Sequence, residues 1–449
     1  MTLSCVFRSL GAGLLAALLC GCATQGASVE TPPAGSLDWR MRPPAAGLQD
    51  VYNLKGAPDG QGPQAAMTFQ TKNAWPITTT TSGGDSNNGA VVQFRRKLPG
   101  KWADSVLYSF GGTANGDGSQ PVGITIRREV DEASPLLVSA ASGGASGNGA
   151  FVELTPNSSG GPLTESFIYS FAGPPDGANP WGAVVSDTAG NVYGTTEDGG
   201  TYSTGTVYRM APKATSFIES VLYSFGGGSS DAGHPLSSLI IDSKGGLYGT
   251  GEDGGSAGAG AVFKLTPVGG GGYKESVLYS FKGVPDGDRP ESGVVFTGRQ
   301  APRPTLYGTT VYGGLNNDGT VYRLNPKGNA YTETVLWSFG SVAGDGEIPT
   351  GGVCVSTKGV IYGTTLGGGP AGSSGLGTFF ILTPTTSSGT TYKETLYSFT
   401  GADGEYPFAG PSVDSKGNLY LSTEAGGTYG KGAVSTTGTK VTAKLKCGA

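Results

Sequence analysis

Short apolar runs alternate with glycine-rich turns along nearly the whole chain, and the runs recur in a fixed order. The most regular is Val106-Leu-Tyr-Ser-Phe110, which returns as 167–171, 221–225, 277–281 and, with Trp in place of Tyr, 335–339. Val51–Leu54 and Leu396–Phe399 are shorter forms of it. Runs this short, rich in aromatic and β-branched residues and bounded by Gly, Pro and Asp, predict strands. Each is followed by an acidic turn, Asp-(Gly/Ala)-x-x-Pro, from Asp59/Pro63 to Asp403/Pro407, and successive turns lie 55 to 59 positions apart. A short apolar strand comes next, such as Leu239–Asp242, then a Leu-Tyr-Gly-Thr strand such as Leu306–Thr310. A Gly-Gly loop then leads to a Gly-Thr-Val-Tyr strand such as Gly319–Tyr322.

Four short strands in a unit repeated seven times predict an all-β fold, a seven-bladed β-propeller of four-stranded antiparallel blades. No unit is large enough to bury both of its faces, and radial stacking supplies the missing cover. From the axis outward the strands are a (after the Pro), b (Leu-Tyr-Gly-Thr), c (Gly-Thr-Val-Tyr) and d (Val-Leu-Tyr-Ser-Phe). The domain opens on a d strand at Val51 and ends on a c-like strand at Gly432–Val434. The strands balance if the last blade takes a, b and c from the C-terminus and d from the N-terminus. In the rival closure Lys440–Leu445 is that d strand. Closing the ring removes exposed edges.

Composition supports this reading once the period is known. The 81 Gly and 28 Pro among 449 residues fall just short of the share that suggests disorder in a chain without a repeat. Here aromatic and aliphatic residues return in register. Past the leader, Gly and Pro interrupt every stretch long enough for an extended helix. Much of the glycine excess falls in the Asp-Gly turns, the Gly-Gly loops and the start of each c strand. The Gly inside Leu-Tyr-Gly-Thr is expected to let neighbouring blades approach closely. The net charge of −5 leaves no basic footprint overall, so no nucleic-acid partner is expected. The single histidine, His234, reads as a surface residue and leaves little for a catalytic triad or a multi-His metal site.

The N-terminus carries its own signal. Arg8 precedes an apolar run from Leu10 to Cys20, which is short for a membrane span and reads as a secretory leader. It ends in Leu19-Cys20-Gly21-Cys22, which resembles a bacterial lipobox and makes Cys22 the lipid-linked first residue of the mature chain. Cleavage by an ordinary signal peptidase is the alternative. The domains are then a signal peptide over 1–21, a flexible tether over 22–46 and the propeller over 47–449. Export and lipid anchoring to the cell envelope follow, at the outer membrane in a cell that has one, with the propeller periplasmic or surface-exposed.

In a propeller the d-to-a and b-to-c loops share one face, so the Asp turns and Gly-Gly loops meet there. An Asp in such a turn accepts backbone N–H bonds, and one per blade is sparse for calcium. No cofactor and no metal are expected. The richest oxygen sets would be Asp176 with Asn179 and Asp286 with Asp288. Aromatics outside the repeat are the better contact candidates: Trp181 after a rim proline, Tyr202 and Tyr312 near b-to-c loops, and Tyr406 and Phe408 beside Pro407. Glu197-Asp198, which recurs as Glu252-Asp253, could serve acid–base chemistry or be a pair of solvated charges. Cys354 falls on an inner strand and Cys447 in the tail. Export favours a disulfide, but the strand positions speak against contact.

The Leu-Tyr-Gly-Thr-Thr, Gly-Gly-x4-Gly-Thr-Val-Tyr and Val-Leu-Tyr-Ser-Phe motifs resemble the GloVer tandem repeat of secreted, choice-of-anchor bacterial proteins. The resemblance covers about residues 48 to 440 and is sharpest from Phe167 through the unit opening at Val335. It implies surface display by interchangeable anchors and brings no catalytic residues. The layout is also similar to NHL-type repeats, which are usually binding platforms. The reading that results is an envelope-anchored, non-enzymatic scaffold that binds a protein or glycan. The alternatives are a hydrolase or lyase using acidic rim residues, and a structural surface protein without a specific ligand.

Overall fold

The computed structural model describes residues 48–447 with short internal gaps at 70–74, 99–100, 128–133, 158–160, 215, 298–302, 329, 371–374, 387, 438–440 and 442–444. The leader, Cys22 and the tether lie outside the described residues. The described residues form seven four-stranded antiparallel blades. Blades one to six run in chain order, with a strands beginning at Thr68, Ser119, Val185, Ile240, Val295 and Cys354 and d strands ending at Ser109, Ser170, Ser224, Ser280, Ser338 and Ser398. The seventh combines Ser412–Val413, Leu419–Thr423 and Ala433–Thr436 with the N-terminal strand Gln49–Asn53. Gln49 pairs with Thr436 and Asn53 with Ala433, so the N-terminal closure holds.

The tail takes another route. Leu445–Cys447 joins the inner edge of blade six as a fifth strand, antiparallel to Cys354–Ser356. It also touches the a strands of blades five and seven, so it lies in the central channel. Cys354 and Cys447 are opposite in this register and form a disulfide. The expectation that they stand apart is thus corrected. It assumed a tail outside the ring, whereas the vacant inner edge of blade six is the place where a further strand can pair. The rival closure through Lys440–Leu445 fails for the same reason.

The repeat motifs hold the blades by three kinds of contact. In Leu-Tyr-Gly-Thr-Thr, Gly194 and Gly308 sit opposite Tyr208 and Tyr322 of their own c strand, and a Cβ would enter those rings. This corrects the expected role of that glycine. It makes room for a buried cross-strand aromatic within one blade, not for the neighbouring blade. The first Thr reaches across to the next blade: Thr195 Oγ1 donates to the Ser237 carbonyl at 2.8 Å and Thr309 Oγ1 to the Gly351 carbonyl at 3.0 Å. The second pairs with the c strand, as Thr310 does with Thr320 at 2.7 Å. Close approach between blades falls to the glycine that opens each c strand. A Cβ on Gly205 or Gly319, both at positive φ, would strike Pro235 or Pro349 of the next blade. The last Phe of each d motif fills the space between, and Phe110, Phe171, Phe225, Phe281 and Phe339 are fully buried.

Candidate functional site

The d-to-a and b-to-c loops do share a face, here the upper one, where they pair through short two-stranded ladders such as Gly177–Ala178 with Asp198–Gly199. Two features repeat around this face, one at the perimeter and one at the channel mouth.

At the perimeter the turn aspartates are structural. Asp176 accepts the Ala172 and Gly177 N–H groups at 2.8 and 2.7 Å and the Tyr169 hydroxyl at 3.1 Å. Asp117, Asp231 and Asp286 repeat the pattern with Tyr108, Tyr223 and Tyr279 at 2.6, 3.0 and 2.8 Å. The fold adds a third member from the d strand of the following blade. Glu219 approaches Tyr169 at 3.4 Å, Glu165 bonds Tyr108, and Glu275, Glu333 and Glu394 face Asp231, Asp286 and Asp345. A phenol has one proton for two carboxylates, so the second carboxyl gains by keeping its own. Burial, then the neighbouring aspartate, pushes Glu219 and Glu275 up to about 7 and Glu333 up to about 8. These brackets line grooves between blades. The groove beside the closing strand, about 780 Å³, is lined by Asp59, Asp104 and Tyr108.

At the mouth the backbone repeats and the side chain does not. The residue before each rim proline has positive φ. It is Gly62 in blade one, then Gln120, Asn179, His234, Arg289 and Ile348, with Tyr406 in blade seven. For an L-residue this conformation costs roughly 1–2 kcal/mol, and a following proline restricts it further. Two backbone bonds hold it. His234 N–H donates to the Thr204 carbonyl of the preceding blade at 2.9 Å, and its own carbonyl accepts from Glu252 N–H at 3.3 Å.

In blades three to five the ring gathers a mixed-charge cluster. Trp181 Nε1 donates to Glu197 at 2.6 Å. His234 lies 3.8 Å from Asp198 and 3.3 Å from Asp253. Arg289 pairs with Glu252, comes within 4.0 Å of Glu291 and lies over the Tyr312 ring. Burial, then the Asp198 charge, raises the Glu197 carboxyl. Burial also raises Glu291, and the Glu197 charge adds to it. The Asp253 carboxylate, 3.3 Å from Nδ1, then the charges of Asp198 and Glu197, raises His234 against the opposing effect of burial. The site thus offers both donors and acceptors beside an indole face.

The predicted residues divide between these places. Trp181, Glu197, Asp198 and Tyr312 meet at the mouth, and Tyr406 occupies its ring position in blade seven. Phe408 lies half-buried two residues further on. Tyr202, 55% exposed, stands on a loop tip against Gly227, apart from the cluster. The two oxygen sets are split. Asp176 and Asp286 are used at the perimeter, Asn179 donates to the Ala141 carbonyl, and Asp288 lies near Asp253 at the mouth. Among the described residues no group of three acidic, His or Cys side chains forms a metal cage. Arg289 and Glu291 carry no expectation from the sequence, and His234, read there as a surface residue, is instead drawn into the cluster at 29% side-chain exposure. The signal for His234 and Arg289 is the variable slot just before the proline of Asp-Gly-x-x-Pro, and Glu291 follows that proline.

Fold and rim together define a class: a closed β-propeller assembled from one tandem repeat, with a varied ring of side chains at one mouth. Its repeat assigns it further, and the chain belongs to the Gloeobacter/Verrucomicrobia repeat family, whose model matches residues 127–372 and 270–435. Among solved structures it is similar to a putative 6-phosphogluconolactonase from Bacteroides uniformis, with 13% identity and a TM-score of 0.50 over 77% of this chain and 88% of that one. A putative 6-phosphogluconolactonase from Bacteroides fragilis gives 13% and 0.49 over 77% and 87%. A hypothetical selenium-binding protein from Sulfolobus tokodaii gives 11% and 0.48 over 72% and 75%. At such identities the likeness is one of fold. No curated protein matches the chain.

Proposed function

We infer that this chain is an exported lipoprotein, held to the envelope through Cys22, whose propeller is a non-enzymatic platform for a protein or glycan. The observation that carries this reading is the ring at the mouth. A strained backbone position is repeated around the axis while its side chains differ from blade to blade, which is the arrangement of a rigid frame presenting a specific surface. Trp181 supplies an aromatic face, and Tyr202 and Tyr429, at 55% and 54% exposure, extend the surface along the loop tips. The mature protein screened against cell-wall glycans and envelope extracts is expected to retain a ligand that Trp181→Ala and Tyr406→Ala release. Retention unchanged in both variants overturns the reading.

A second reading, a hydrolase or lyase, draws on the facing carboxyls of Glu197 and Glu291, both raised and both at the mouth. It requires turnover of a screened glycan or ester that Glu197→Gln abolishes while the fold stays intact.

A further inference from the structure

The net charge of −5 conceals two unlike faces. The upper face carries the turn aspartates and the acidic mouth. The opposite face is built from the a-to-b turns and c-to-d hairpins and presents lysine around the ring. Lys97, Lys213, Lys327 and Lys393 lie at hairpins of blades one, three, five and six, and Lys244 and Lys358 lie in turns of blades four and six; all six are exposed.

Four acids of this face turn inward. Asp187 Oδ1 accepts the Ala189 and Asn191 N–H groups, and Asp414 Oδ1 accepts those of Lys416 and Asn418. Asp242 pairs with Lys264 at 3.1 Å, and Glu153 pairs with Arg127. Among the described residues the six lysines project outward, together with two apolar positions at hairpin tips: Leu98, 60% exposed, and Val268, 48% exposed. Basic residues ringing apolar tips match a phospholipid interface, where cations meet phosphate and aliphatic side chains enter the headgroup layer.

The chain itself enters on this face. Gln49 pairs with Thr436, the residue at which the c strand of blade seven reaches the basic side. A tether that starts at Cys22 therefore joins the propeller where the lysines are.

We propose that the basic face docks on the anionic phospholipid leaflet to which the anchor at Cys22 tethers the chain, so that the acidic mouth points away from the membrane. This rests on the envelope-lipoprotein reading for its leaflet, and on the fold alone for its chemistry. Anchoring makes docking an intramolecular event, so modest electrostatic affinity is enough to orient the propeller. A duplex nucleic acid would satisfy the lysines but not Leu98 and Val268.

The test is co-sedimentation of the mature chain carrying Cys22→Ser with vesicles of phosphatidylcholine alone or mixed with phosphatidylglycerol. Binding is expected to the mixed vesicles only and to weaken steeply with added salt. Each Lys→Gln change on the basic face should weaken it about fivefold. The triple variant Lys97→Gln/Lys213→Gln/Lys327→Gln should thus lose on the order of a hundredfold. Lys55→Gln/Lys282→Gln on the upper face should change nothing and controls for folding. Equal binding to both vesicles, no binding at low salt, loss in the upper-face variant alone, or preference for duplex DNA over the mixed vesicles overturns the proposal. The mass of the N-terminal peptide of the native protein reads the anchor separately. An unlipidated Cys22 with vesicle binding intact removes the anchor and leaves the docking chemistry standing. A lipidated Cys22 with no vesicle binding by the Cys22→Ser chain removes the docking.

Discussion

The perimeter and the mouth of the upper face repeat in opposite ways. Around the perimeter, side chains repeat: a tyrosine, a turn aspartate and a carboxylate from the next blade recur with small changes, such as Trp337 for tyrosine and Asp104 for glutamate. At the mouth, the backbone repeats and the side chains vary, from Gly62 to Tyr406. Repeated side chains are explained by the contact they make in every blade, which is architecture. A repeated backbone filled with different residues is a frame whose content is free to serve recognition. On the proposed function, the same face carries two separable properties, stability at its edge and recognition at its centre.

Removing a perimeter bracket should have the largest effect. Asp117 is fully buried and accepts the Tyr108 hydroxyl and the Gly111 N–H. Asp117→Ala strands the Gly111 N–H and leaves the Tyr108 hydroxyl to Glu165 alone, and should lower unfolding free energy by about 2 kcal/mol, measured by urea titration. A loss within experimental scatter would mean that the bracket is ornamental.

The brackets should also set the pH dependence. Glu333 is raised from its usual 4.5 to about 8 by burial and then by Asp286, with Lys282 opposing. The folded protein therefore holds a proton that the unfolded chain releases at lower pH. The associated stability is full below the unfolded value and is lost as pH rises through the folded one. Glu219 and Glu275 act in the same sense up to about 7. Thermal melts should give a Tm that falls between about pH 5 and pH 9, and Glu333→Gln should flatten part of the fall. A Tm that rises over this range would contradict the bracket chemistry.

The mouth should respond in the other direction. Ile348 is β-branched and sits at φ 60°. Relieving it with Ile348→Gly should raise stability by about 1 kcal/mol. A net loss would show that the side chain contributes more packing than its backbone strain removes, and would move this position from the frame's content to the frame.

Most of the architecture is legible in the sequence because each motif encodes a contact that recurs. Seven blades, their strand order and the N-terminal closure follow from counting d and c strands. Two contacts are misplaced or hidden for a physical reason. The Gly of Leu-Tyr-Gly-Thr and the Tyr of Gly-Thr-Val-Tyr face each other across a hairpin, and only strand register tells which aromatic fills the gap. The disulfide depends on where a non-repeating tail finds an unpaired edge, and no periodicity records that. The mouth is half legible: Trp181, Glu197, Asp198 and Tyr312 stand out by composition. His234, Arg289 and Glu291 join them through ring closure, which brings blades three to five around one axis.

The most direct measurement compares Tyr169→Phe with Trp181→Ala, two rim residues set in adjoining blades, by melting temperature and by retention of the ligand found in the envelope screen. Tyr169→Phe is expected to lower the Tm and keep the ligand, while Trp181→Ala keeps the Tm and loses the ligand. Ligand loss in Tyr169→Phe with full retention in Trp181→Ala would contradict the division of this face into a structural edge and a recognising centre.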